Sequence, residues 1–276
     1  MGAATVGQGP CHLAALGPAV FIEAPTNDLA PDASPPLLPG RAALFLDLDG
    51  TLAPFAPRPQ DVRLPTWVVP ALQRLTRQLD GAVAIVSGRP LAELDQLLRP
   101  LRLPAAGVHG IERRLADGRL RVHSAEPPPA VRRAAQALAD RHPGLLLESK
   151  PGGLALHYRA APQFAARCLA ELGRALRGVE GWELLHGHCV VEVKPLRVSK
   201  GTVVVAFMAE PAFAARLPVF VGDDTSDEDG IGAAQAAGGI GVKVGSGPSC
   251  ARYRLAHPDA VKRWLGSSID ALEAGP

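Results

Sequence analysis

Three apolar runs constrain this chain most, because each ends in a cluster of small polar and acidic residues. Ala42–Leu46 runs into Asp47-Leu48-Asp49-Gly50-Thr51, Ala82–Val86 into Ser87-Gly88-Arg89-Pro90, and Leu217–Val221 into Gly222-Asp223-Asp224. A run with no polar position suits a strand buried on both faces, as in a parallel sheet. Helical periodicity lies between them, at Thr66–Leu79 and Leu91–Leu98. Strand, polar loop and helix in repetition specify an open α/β sheet, in which ligands bind at the carboxyl ends of the strands. All three polar clusters fall there.

The middle of the chain follows another pattern. The spacing predicts a helix at Pro129–Arg141, strands at Leu145–Ser149 and Leu154–Arg159, a helix at Pro162–Arg177, and strands at Trp182–His186 and Cys189–Val193. Helix–strand–strand written twice describes two hairpins side by side with helices on one face. Hairpins do not belong inside a parallel sheet, so we expect an α+β cap domain at residues 113–195, inserted into an α/β core of residues 41–112 and 196–276. A continuous doubly wound sheet is the alternative. Residues 1–40 are rich in Pro, Ala and Gly and are expected to form an extended or disordered arm.

Asp47 and Asp49 stand two residues apart, so in an extended segment they project to one side. Gly50 permits a sharp turn beneath whatever they hold. Two carboxylates this close repel unless a cation lies between them, and a hard divalent ion such as Mg²⁺ suits oxygen ligands. An Asx turn with a spare acid would read the same way from this pentapeptide alone. Asp223, Asp224 and Asp227 add carboxylates at another strand end, although acids also favour an ordinary helix start. Ser87 offers a hydroxyl beside N–H groups suited to a phosphate oxygen, or merely a cap. Lys200 opens an apolar helix, where a positive charge is locally unfavourable. The chain has only five lysines, at 150, 194, 200, 243 and 262, among 29 basic residues. A retained ammonium at position 200 points to an anion, or to an exposed surface lysine.

Asp47-Leu48-Asp49-Gly50-Thr51, Ser87, Lys200 and Gly222-Asp223-Asp224 with Asp227, in that order, resemble the haloacid dehalogenase (HAD) superfamily of phosphatases over residues 42–265. Further stretches resemble its trehalose-6-phosphate phosphatases: Gly107–Glu112, Glu148–Pro151, Leu154–Arg159, Val191–Pro195, Gly222–Asp229 and Tyr253–Val261. That family usually has Thr where this chain has Ser226 and Phe where it has Ile231; residues 1–40 find no counterpart. The resemblance implies an aspartyl-phosphate mechanism with Asp47 as nucleophile, Asp49 as general acid–base, and Ser87 and Lys200 on the phosphoryl group. It implies Mg²⁺ held among Asp47, Asp49, Asp223, Asp224 and Asp227. Sugar contacts are expected from Arg89, His109, Lys150, His157, Arg159, Glu192 and Lys194. An exposed polar sheet face is the plainer reading of the cap residues.

The implied substrate is trehalose 6-phosphate, with sucrose phosphate, a mannosyl phosphoglycerate or a sensor role as alternatives. A net charge of +2 gives no field aimed at nucleic acid or membrane. No apolar run approaches the roughly 20 residues of a membrane span, and four scattered cysteines suit reduced thiols in the cytoplasm. His186 and His188, flanking Gly187, are expected on a hairpin turn and not as zinc ligands.

Overall fold

The computed structural model describes residues 33–56, 58–123, 126–150, 152–187 and 189–275. The expected N-terminal arm lies mostly outside them. An eight-stranded sheet begins with β1 (Ala42–Leu46), β2 (Val83–Val86) and β3 (Ala105–Gly107), and continues with β4 (Glu112–Arg114) and β5 (Leu120–Val122). A second, four-stranded sheet holds β6 (Leu146–Lys150), β7 (Gly153–His157), β8 (Trp182–Gly187) and β9 (Val190–Pro195). The chain then returns to the first sheet through β10 (Leu217–Gly222), β11 (Ile240–Val244) and β12 (Tyr253–Leu255). The large sheet runs β12-β11-β10-β1-β2-β3-β4-β5, parallel from β12 to β3 and antiparallel beyond. Every residue of β1 and β2 is buried, as their uniformly apolar sequences require.

Among the described residues seven α-helices accompany these strands: α1 (Val68–Gln78), α2 (Leu91–Leu97), α3 (Pro129–Arg141), α4 (Ala165–Ala175), α5 (Lys200–Met208), α6 (Glu228–Ala236) and α7 (Pro258–Ala274). α1 packs on α7 and α5 on α6. Phe45 of β1, Phe207 of α5 and Phe213 form an aromatic cluster with ring centroids 5.2–6.0 Å apart. It fastens α5, and with it Lys200, beneath the first strand. Among the described residues no helix is long and apolar enough to cross a membrane.

The four-stranded sheet runs β6-β7-β9-β8, two hairpins joined edge to edge. One face carries Leu154, Leu156, Val191 and Val193, buried with Val131, Ala135 and Leu138 of α3 and Cys168 and Leu172 of α4. The fold is therefore an α/β core with a separate antiparallel unit.

Three local expectations need correction. β4 and β5 pair with the large sheet, so the second sheet's unit starts after residue 122 and not at 113; strands of three residues leave no periodicity to read. The helix expected at Pro162–Arg177 is a single 3₁₀ turn, Pro162–Phe164, followed by α4. His186 belongs to β8 and not to a turn, and its Nε2 lies 2.6 Å from the Tyr158 hydroxyl. His188 lies outside the described residues.

Candidate active site

β1 and β10 are parallel neighbours in register, Leu46 opposite Val221, so the residues after them emerge side by side. The Asp47 N–H donates to the Val221 carbonyl at 3.0 Å. Gly50 turns the chain back with φ of +90°, and a Cβ there would lie 2.2 Å from Asp223 Oδ2. The Asp223 carboxylate thus occupies space that only glycine leaves open. Thr51 donates its hydroxyl to Asp223 Oδ1 at 3.2 Å. Gly222 serves Asp227 likewise, since a Cβ at 222 would sit 2.3 Å from the Asp227 carboxyl carbon.

Asp227 is fully buried. Its Oδ2 accepts the N–H groups of Asp223 and Asp224 at 3.1 and 2.9 Å, and its Oδ1 accepts from Lys200 Nζ at 2.6 Å. Lys200 Nζ also donates to Asp47 Oδ1 at 2.7 Å. Lys200 therefore joins the first strand end to the acidic turn, and that pairing is why α5 tolerates a buried ammonium at its N-terminus. Burial alone would pull the Lys200 pKa down; Asp227 and Asp47 outweigh it and hold the side chain protonated.

Oxygens of Asp47, Asp223 and Asp227 lie within 4.8 Å of one another. Three carboxylates facing one ammonium leave two negative charges without compensation, which one divalent cation would balance. The same imbalance explains the titration. Burial, then repulsion from Asp227, hold the Asp47 carboxyl well above its usual range despite Lys200. Burial and Asp227 push Asp223 up to about 7 from an ordinary value of 3.8. An all-oxygen donor set that resists ionisation when empty of cations fits a hard ion.

A pH dependence follows. Between about 4 and 7 the folded chain holds a proton on Asp223 that the unfolded chain releases, so without a divalent ion stability should fall as pH rises through that window. A cation must displace this proton, so Mg²⁺ affinity should weaken about tenfold per unit below pH 7. Melting temperatures at pH 5.5 and 7.5, with and without Mg²⁺, check both signs; Mg²⁺ stabilisation equal at the two pH values would contradict the assignment.

Asp49 does not join this group. Its carboxylate is clasped by Arg89, with Nε to Oδ2 at 2.6 Å and the second guanidinium nitrogen to Oδ1 at 2.8 Å. Asp224 also points elsewhere and caps the N–H of Thr225 at 2.7 Å. Ser87 is buried at the end of β2, its Oγ accepting from the Arg89 N–H at 3.2 Å. Gly88 beside it has room for His109, whose Nε2 lies 2.8 Å from where a Cβ would be. Val108, His109 and Gly110 all take left-handed backbone, with φ of 48°, 55° and 114°, a conformation that L side chains adopt only under constraint.

His109 reaches the second sheet, its Nε2 lying 2.8 Å from the Glu192 carboxylate. Glu192 also receives the Lys150 ammonium. The register aligns Glu148, Ala155 and Glu192, then Lys150, Gly153 and Lys194, so these charged groups share one face over two small residues. Burial would raise the Glu192 pKa, but His109 and Lys150 outweigh it and hold the group ionised. On the same face His157 Nε2 pairs with Glu148 at 2.8 Å. Lys194 pairs with Glu183 at 2.6 Å and donates to the Val198 carbonyl. Arg159 lies apart and donates to the Ala56 carbonyl at 3.2 Å.

Two contributors escaped the sequence reading. Glu148 lies two residues before Lys150 and shares its face, a strand signal that was available. Lys243 of β11 is buried and donates to the Asp223 carbonyl at 2.5 Å, leaving the Asp223 side chain to face the cluster. As one of five lysines it was visible only as a rarity.

Residues 45–259 match the trehalose-phosphatase family. The chain is 41% identical over 242 residues to the trehalose-6-phosphate phosphatase of Escherichia coli, covering 86% of this chain and 90% of that protein. Its fold is similar to that of the C-terminal domain of C. albicans trehalose-6-phosphate phosphatase, with a TM-score of 0.75 at 23% identity over 84% of this chain and 93% of that one. The sucrose-phosphatase from Synechocystis, in complex with sucrose and phosphate, shares the fold at a TM-score of 0.54 and 19% identity, covering 82% of this chain and 97% of that one. With an aspartate pair at a buried strand end, a lysine tying it to an acidic turn, and sequence identity across most of its length, the chain belongs to the trehalose-phosphatase family.

Proposed function

We propose that this enzyme hydrolyses trehalose 6-phosphate to trehalose and inorganic phosphate through an aspartyl-phosphate on Asp47. The observation that carries the reading is the Asp47–Lys200–Asp227–Asp223 cluster, with the His109–Glu192 pair joining the Ser87–Gly88 loop to the charged face of the second sheet. Phosphate chemistry and hydroxyl recognition then fall on two facing surfaces.

Asp47 attacks phosphorus, and the bond from phosphorus to the sugar oxygen breaks. Asp49, as the acid, gives its proton to that oxygen; as the base it then takes a proton from the water that hydrolyses the aspartyl-phosphate. Such help is worth about 10²–10⁴-fold. The Arg89–Asp49 pair is the arrangement before substrate enters. An incoming phosphorylated sugar would draw the Arg89 fork away and leave Asp49 free to carry a proton. Ser87 and Lys200 hold the phosphoryl oxygens. Asp47 and Asp223, with Asp227 behind them, would hold Mg²⁺, which when bound neutralises charge on the transferring group. The second sheet serves as a lid that excludes water, offering Lys150, Glu192, Lys194, Glu148 and His157 to sugar hydroxyls. Among the described residues the thiols of Cys168 and Cys189 are free, which supports a cytoplasmic setting.

Phosphate release from trehalose 6-phosphate, glucose 6-phosphate and sucrose 6-phosphate, with and without Mg²⁺, tests this reading. Trehalose 6-phosphate with Mg²⁺ should give the highest kcat/KM, by about tenfold or more, since a site built to bond hydroxyls rejects analogues that leave its polar groups unpaired. A preference for glucose 6-phosphate would remove the disaccharide assignment, and one for sucrose 6-phosphate would move it to another disaccharide. No turnover at all would favour a sensor.

A further inference from the structure

A second cluster of charge lies outside the catalytic residues, at the open edge of the large sheet. Arg113 on β4 stands directly opposite Arg121 on β5. Like charges directly opposite in an antiparallel pair are destabilising, so this register works against the sheet unless something compensates. Arg197, in the connection from β9 to α5, lines the same cleft, whose volume is about 360 Å³. Several other arginines of this chain do meet acids: Arg74, Arg89, Arg114, Arg119, Arg174 and Arg216 each pair with a carboxylate. Among the described residues, no carboxylate comes within 4.0 Å of Arg113, Arg121 or Arg197.

The nearby acids are otherwise engaged. Glu112 neighbours Arg113 in sequence but accepts the Leu91 N–H. Asp117, which feels Arg121, is held by Arg119. Glu210 acts on Arg113 from a distance and accepts the Ala116 N–H. Arg113 is half-buried, its guanidinium carbon 5.4 Å from the centre of the Phe207 ring. Burial, and then Arg121, draw its pKa below the usual arginine range. Three arginines lining one concavity, two of them directly opposite each other in the sheet, form a surface complementary to a compact multivalent anion. Planar guanidinium groups bind phosphate oxygens bidentately.

We propose that this cleft is an anion site for a small soluble phosphate or polyphosphate, separate from the phosphatase centre. Its position gives the occupant leverage. Arg197 precedes Lys200 by three residues, and Gly110 and Ile111, which follow His109, also line the cleft. An anion gripping Arg113, Arg121 and Arg197 fastens the sheet edge to the connection by which the chain returns from the second sheet to α5.

Pyrophosphate titrated calorimetrically as its Mg²⁺ complex into the full chain, at fixed ionic strength and with Mg²⁺ saturating, tests the site. The wild type should bind at two classes of site, one at the phosphatase centre and one here, the latter weakening with added NaCl as exposed charge is screened. Arg121 and Arg197 are exposed, so the variant with Arg121→Gln and Arg197→Gln should fold and keep its kcat/KM for trehalose 6-phosphate. It should bind pyrophosphate at one class only. Arg113→Lys, which keeps charge but loses the fork, should weaken the second class by roughly tenfold. A wild type with a single class, or a double variant that binds as the wild type does, overturns the anion site and leaves the phosphatase reading untouched. Loss of turnover in the substrate panel with both classes intact would do the reverse.

Discussion

Replacing Asp47 by Asn is expected to remove turnover of trehalose 6-phosphate by about 10⁴-fold or more while leaving the chain folded, because a nucleophile has no substitute among its neighbours. Asparagine has nearly the same shape, and at a buried position shape decides packing. Its amide oxygen can still accept from Lys200, the contact Asp47 now makes at 2.7 Å. The change also takes one negative charge from a group of three held within 4.8 Å. Burial and Asp227 already hold the Asp47 carboxyl above its usual range, so the neutral amide relieves repulsion among the carboxylates. The melting temperature without Mg²⁺ should therefore hold or rise at pH 7.5. Phosphate release and thermal unfolding on the same preparation check both halves. Retained activity would remove Asp47 as nucleophile, and a collapse in stability would mean that the carboxylate is chiefly structural.

The parts of this molecule legible in sequence are those where chemistry and burial leave few options. Ala42–Leu46 and Ala82–Val86 read as central strands because no polar side chain interrupts them, and both are buried throughout. The hairpins of the second sheet read correctly because alternation survives in Leu154–His157 and Val191–Lys194, where one face meets α3 and α4 and the other carries charge. The β4–β5 edge did not read at all. Three residues make no period, and both strands carry arginines on a surface that the fold leaves open.

At the site, residue types were legible and pairings were not. Asp47 and Asp49 sit two apart and were expected to face one ligand together. Asp49 is turned aside by Arg89, which is 40 positions away in the chain. Asp227 was expected among the acids around the metal, and Gly222 and two backbone N–H groups make it the buried partner of Lys200 as well. Long-range pairing of this kind depends on which strand ends become neighbours, which local pattern does not encode.

Lys200→Met should cost both stability and rate, and the two losses have one cause. The ammonium is 3% exposed on its side chain and contacts Asp47 and Asp227, at 6% and 0%. Removing one partner from a buried ion pair costs about 3–5 kcal/mol, because the remaining charge is left without compensation. Here two carboxylates would be stranded beside a third, Asp223. They can escape by binding protons, and that escape disarms the enzyme: a protonated Asp47 cannot attack phosphorus. A loss of about 10²–10³-fold in kcat is expected from the missing phosphoryl contact alone, with a further loss from the protonated nucleophile. The sign with pH separates this account from a simple packing defect. Carboxyls whose folded pKa is raised make the folded state bind more protons than the unfolded one, so stability should return as pH falls through that range. The deficit of the variant against the wild type should be largest at pH 7.5 without Mg²⁺ and smaller at pH 5.5. Added Mg²⁺ should reduce it at pH 7.5, where the carboxylates are free to take a cation in place of the lost ammonium. A deficit equal at both pH values and indifferent to Mg²⁺ would mean that Lys200 acts through its methylene stem and not through its charge.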